Sequence, residues 1–195
     1  MKSALLITVI LLLTSCGGGS KIVTTDRKIG EIQKLAMFEP IAVMVDGSGK
    51  TDTVLNALTR LHMTKVIDKI FPMSVAIYDL DVREDIKPTL TAAFYIILSD
   101  MSSGRKDRVE NCLPVIISLM EDGGIDYVLA ISQIGDTGHK KDQAANSQSF
   151  AAIFDRQKKN IAYYGFSGSE RLEPTLESTT EYQFTTLFKG LFETK

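Results

Sequence analysis

The chain has 195 residues, 44% of them apolar and 24% charged, enough for one domain with a full core. Its 22 Lys+Arg stand against 24 Asp+Glu, a formal charge of −2, so it lacks the basic excess that would draw nucleic acid or anionic lipid. With two cysteines and two histidines, it has little from which to build a disulfide framework or a zinc site.

Behind Lys2, residues 4–13 (ALLITVILLL) form a ten-residue apolar run. At about 1.5 Å per residue the run spans roughly 15 Å, about half of a ~30 Å hydrocarbon core, which suits a signal h-region and not a membrane span. Leu13-Thr14-Ser15-Cys16 then resembles the lipobox of bacterial lipoproteins: an aliphatic residue, two small ones and the cysteine that receives lipid. The resemblance implies that residues 1–15 are a lipoprotein signal peptide and that Cys16 becomes a lipidated N-terminus. At about 0.8 kcal/mol per buried methylene, two or three acyl chains would make anchoring effectively permanent. Gly17 is not aspartate, which in many Gram-negative bacteria implies the outer membrane, here facing the periplasm. Removing residues 1–15 removes only Lys2, leaving 21 Lys+Arg against 24 Asp+Glu, or −3. Cys112 is then the only thiol; among Leu113, Val115 and Ile116 it reads as a small buried apolar residue, not a nucleophile.

Residues 16–36 read as the lipidated cysteine and a flexible tether, opening on Gly17-Gly18-Gly19-Ser20 and continuing polar. Residues 37–195 read as a single α/β domain. The apolar run 41–45 (IAVMV), stopped by Asp46-Gly47, predicts a strand buried on both faces. A helix over 51–70 carries one broad apolar stripe of Val54, Leu55, Leu58, Leu61, His62 and Val66, widened by Met63, Ile67 and Ile70. Residues 74–78 (SVAIY) predict a second buried strand, completing a βαβ-like unit.

After Pro88, Leu90, Ala93, Phe94, Ile97 and Leu98 recur at helical spacing, although residues 94–98 (FYIIL) suit a strand equally well on propensity. A helix over 111–120 tolerates Pro114 only in its first turn, and Gly123-Gly124 ends it. Residues 127–134 predict a strand, 135–147 a polar stretch, and 150–154 with 161–166 a hairpin. A final amphipathic helix has Ser178 and Glu181 at capping-box spacing and Phe184, Leu187, Phe188 and Leu191 on one face. The expected fold is α/β, a mixed sheet of about five strands with helices packed on it.

This order of elements, with Gly124-Ile125-Asp126-Tyr127-Val128-Leu129 at a strand start and Ala152-Ile153-Phe154-Asp155 at a hairpin turn, resembles the envelope lipoproteins whose domain is similar to the N-terminal domain of TolB. That group includes the curli-secretion lipoprotein CsgG. The resemblance implies binding and assembly roles without catalytic residues.

No chemical constellation competes with that reading. Gly47-Ser48-Gly49-Lys50-Thr51 mimics a nucleotide loop, in which Lys50 would reach a phosphate, Thr51 would ligate magnesium and Asp79 would supply a second carboxylate. The first glycine of the GxxxxGK[ST] spacing would fall at 44, which is Met44, so a turn with a helix cap on Ser48 or Thr51 is expected, and no nucleotide. His62 lies on an apolar helix side and reads as structural. His139, near Asp136, Lys140, Lys141 and Asp142, lacks the further ligands that a metal needs. Glu84/Asp85 and Glu121/Asp122 flank helices and do not form a glycosidase pair by sequence. Gly165-Phe166-Ser167-Gly168 lacks the spacing of a nucleophile elbow.

The expectation is therefore a non-catalytic, membrane-tethered lipoprotein without cofactor or metal. It would bind an envelope protein partner or itself, through sheet edges and the 135–147 loop. Two alternatives are an oligomeric outer-membrane secretion subunit and a cell-wall-acting enzyme. A pore-forming subunit would need two extra amphipathic strand pairs, each strand of roughly nine to eleven residues, and no spare segments of that kind are visible.

Overall fold

The computed structural model describes residues 20–24, 31–46, 48–137, 146–170, 173–189 and 191. In chain order the elements are β1 (Ser20–Thr24), β2 (Lys34–Met37), β3 (Ile41–Val45), α1 (Thr53–Ile70), β4 (Ala76–Asp79), α2 (Lys87–Ser103), α3 (Lys106–Gly123), β5 (Tyr127–Asp136), β6 (Asn146–Asp155), β7 (Asn160–Glu170) and α4 (Glu177–Phe188). They form one seven-stranded mixed sheet in the order β1-β7-β6-β5-β2-β4, with β3 also on β5. β2 and β3 run one after the other, parallel to β5 and along the same edge of it: Met37 pairs with Leu129 and Ile41 with Ser132. The break between them holds Phe38-Glu39-Pro40, where proline cannot donate to the ladder.

The sheet separates two cores because its central strands alternate. On β5, Val128 and Ala130 face one core with Ala36, Phe94, Ile97, Ile116, Phe154 and Tyr164, covered by α2 and α3. Leu129 and Ile131 face the other, with Leu35, Met63, Ile67, Ile153, Tyr163 and Phe184, covered by α1 and α4. A strand covered on both sides is apolar along most of its length, which is why residues 127–131 of β5 read as a continuous run.

Several local expectations change. β1 and the start of β2 fall in the stretch read as a tether; β1 pairs with β7, and Leu35 and Ala36 are fully buried, so the sheet has seven strands where about five were expected. Short strands completed by tertiary pairing leave little trace in a polar segment. β4 is an edge strand with Tyr78 and Asp79 exposed, not a second buried one. The helix reading of residues 88–98 holds. α3 starts five residues earlier than expected, at Lys106, which leaves Pro114 inside the helix on an exposed position. There the ring costs one ladder bond without meeting the core. α1 is capped by Asp52, whose side chain accepts from the amides of Val54 (2.9 Å) and Leu55 (3.0 Å), and not by Ser48 or Thr51. Ser178 makes no cap: α4 starts at Glu177 after Leu176, and Glu181 instead pairs with Lys69 of α1 at 2.5 Å.

α4 is fixed to the sheet by a buried polar network. Gln183 Oε1 accepts from Ser147 Oγ (2.9 Å) and Ser149 Oγ (2.7 Å), and its Nε2 donates to the Ser147 carbonyl (3.0 Å). Gln133 donates to Ser147 Oγ (3.1 Å) and to the Pro174 carbonyl (3.0 Å), and accepts from Thr180 Oγ1 (3.0 Å). With all of these side chains buried, the network is satisfied and so specifies one seating of α4.

Candidate interaction surface

The candidate catalytic groups do not assemble. In the 46–51 turn, Asp46 Oδ1 accepts from the Ser48 amide (2.9 Å), the Ser48 hydroxyl (2.6 Å) and the Lys50 amide (3.0 Å). The amides that a phosphate would need are therefore already bonded to a carboxylate. The Ser48 hydroxyl, then the Lys50 amide, hold the Asp46 carboxyl below its ordinary range. Asp79 pairs in register with Met37, itself opposite Leu129, whereas the turn follows Val45, opposite Asp136. Seven residues of β5 separate the two places, roughly 23 Å, so Asp79 and Lys50 cannot share a metal–phosphate site.

His62 lies between α1 and α4, with Nε2 3.9 Å from Glu177 and Nδ1 buried without a partner, a structural placement as expected. Glu84 pairs with Lys87 (3.6 Å), Asp85 with Arg83 (2.6 Å) and Glu121 with Lys159 (2.8 Å), all solvated. Ser167 is an internal residue of β7, not a turn. Cys112 is half-buried against the α2–α3 core. Residues 138–142, including His139, and Cys16, the expected lipidation site, lie outside the described residues. Among the described residues no group of three or more His, Cys, Asp or Glu could hold a metal ion, and no helix is long and apolar enough to cross a membrane.

What the structure does present is exposed apolar surface. α1 buries Thr59, Met63, Val66 and Ile67. Val54 (74% exposed), Leu58 (41%) and Leu61 (52%) point away from that face. At about 100° per residue the three lie within roughly 60° of one another and opposite the buried set, a stripe at i, i+4, i+7 turned to solvent. The expected broad stripe of α1 is thus two stripes, of which one is core. Periodicity ranked all these residues alike because it reports that a face is apolar, not what covers it. A second, mostly apolar region is a shallow groove of about 580 Å³ between β3 and α2, walled by Ile41, Val43, Pro88, Ala92 and Tyr95 and lined also by Glu84, Lys87 and Thr91.

The fold and surface define an α/β sandwich with uncovered apolar surface and no assembled active site among the described residues. No protein-family model matches the chain, and no curated protein matches it. Among solved structures it is similar to a PelC dodecamer from Paraburkholderia phytofirmans, at 5% identity and a TM-score of 0.48 over 91% of this chain and 99% of that one. It is also similar to a single-substitution variant of that PelC dodecamer in another crystal form, at 7% identity and a TM-score of 0.47 over 89% and 97%.

These findings correct the expected membership among TolB-like and CsgG-like lipoproteins, and with it the partner-binding role drawn from that family. The two short matches behind it have plain structural causes. Residues 124–129 are the handover from the α3 C-cap to a buried strand, and residues 152–155 are the end of a buried hairpin strand.

Proposed function

We propose that the chain is a non-catalytic, self-associating subunit of an oligomeric secretion assembly at the outer membrane, held there by lipid on Cys16. The observation that carries self-association is the Val54–Leu58–Leu61 stripe on α1: three large apolar side chains at helical spacing that the chain's own fold leaves uncovered. Clustered exposed apolar groups mark interfaces more often than isolated ones do. The dodecameric form of the PelC structures offers a parallel for self-association.

β5, β6 and β7 are long enough to span a bilayer, at 10, 10 and 11 residues, but both faces of their central parts are buried under helices. The subunit would therefore sit at the membrane surface and would not itself form a barrel wall, so the lack of spare strand pairs does not count against oligomeric secretion. Light scattering on the lipidated chain in mild detergent tests the reading. The parent should elute as a discrete multimer, and Leu58→Glu with Leu61→Glu should elute as a monomer with unchanged circular dichroism. A parent that stays monomeric at micromolar concentration refutes it.

A further inference from the structure

The α2 side of the sheet is covered unevenly, and the uncovered part lies where the anchor would emerge. α2 buries Leu90, Ala93, Phe94, Ile97 and Leu98 against the sheet. Phe94 meets Phe154 at 5.4 Å between ring centroids, and Tyr164 donates to the Leu98 carbonyl at 2.8 Å. Beyond those contacts, one cross-strand row runs Val43, Ile134, Gln148, Gly168 through β3, β5, β6 and β7. Val43 and Ile134 are only half-buried there. Half-buried Phe166 lies over the gap at Gly168, where an added Cβ would stand 3.1 Å from the phenyl Cζ. Apart from exposed Gln148, these groups form with the groove walls Ala92 and Tyr95 an apolar end on a sheet face that sandwich folds otherwise cover.

The register of β1 decides what is near this end. Ser20 pairs with Ser167 on β7, beside Phe166 and Gly168. Only four residue steps separate Cys16 from Ser20, a reach of at most about 14 Å. A lipid on Cys16 would therefore be held against this same end of the sheet, without slack for the domain to turn its opposite end to the bilayer. We infer that Val43, Ile134 and Phe166, with the adjoining Ala92–Tyr95 groove, seat on the lipid surface, fixing the subunit's orientation at the membrane. The inference rests on the lipid anchor of the proposed function.

The sequence contains no tryptophan, so a single introduced indole reports its own surroundings. The lipidated full-length chain would carry Ala92→Trp, on an exposed groove position, or Phe166→Trp, with Tyr182→Trp on exposed α4 as the control. Each would be reconstituted in phosphatidylcholine vesicles with and without brominated acyl chains, after mass spectrometry of the N-terminal peptide. Loss of emission at Ala92→Trp and Phe166→Trp, with Tyr182→Trp unquenched, is the expected result. An acylated chain in which neither groove indole is quenched, or all three are quenched equally, overturns the seating while leaving the anchor intact. Neither groove indole quenched but both shielded from aqueous iodide means that a second copy covers this face, which also overturns it. An unacylated Cys16 overturns anchor and seating together.

Discussion

Truncating Gln183 tests whether α4 is fixed to the sheet by its polar network. Gln183→Ala removes three buried hydrogen bonds, to Ser147 Oγ, Ser149 Oγ and the Ser147 carbonyl. The two serine hydroxyls lose their acceptor, and each orphaned buried donor costs about 1–3 kcal/mol. A small cavity adds to this, so the loss should be roughly 3–5 kcal/mol. Equilibrium urea unfolding would measure it, in the Leu58→Glu, Leu61→Glu background so that subunit dissociation does not enter. Gln183→Leu with Ser149→Ala should recover about 1 kcal/mol relative to Gln183→Leu alone, because one stranded hydroxyl goes with its partner. A Gln183→Ala midpoint equivalent to less than about 1 kcal/mol would refute the reasoning, since a buried network cannot be both satisfied and dispensable.

Two further outcomes follow from local geometry. Gly135→Ala should destabilise by about 2–3 kcal/mol in the same unfolding assay, because its Cβ would collide with the Pro174 ring and stand 2.9 Å from Met44 Sδ. The Asp46 turn should be acid-sensitive: its carboxyl titrates below the ordinary value in the folded state, so its stabilisation is full above about pH 4 and fades as pH falls through the depressed value. Amide shifts of Ser48 and Lys50 followed by NMR should report that titration, and Asp46→Asn should abolish it.

Much of the architecture follows from the chain alone. A strand covered on both faces is apolar along most of its length, so residues 41–45 and 127–131 declare themselves, and Gly124 takes the left-handed conformation that closes α3. At Leu90–Leu98 the apolar spacing favours a helix while the propensity of residues 94–98 suits a strand equally well, and the packing of α2 on the sheet decides for the helix. Other features have no local cause. β1 and the start of β2 are polar or short, and only pairing with β7, β4 and β5 makes them strands. The interaction surface is of the same kind: Val54, Leu58 and Leu61 are as apolar as Met63 and Ile67, and only the docking of α1 beside α4 decides which are buried. Sequence sets which residues avoid water; burial is a property of pairs of surfaces, and the tertiary structure alone chooses which apolar stripe meets the core and which stays open.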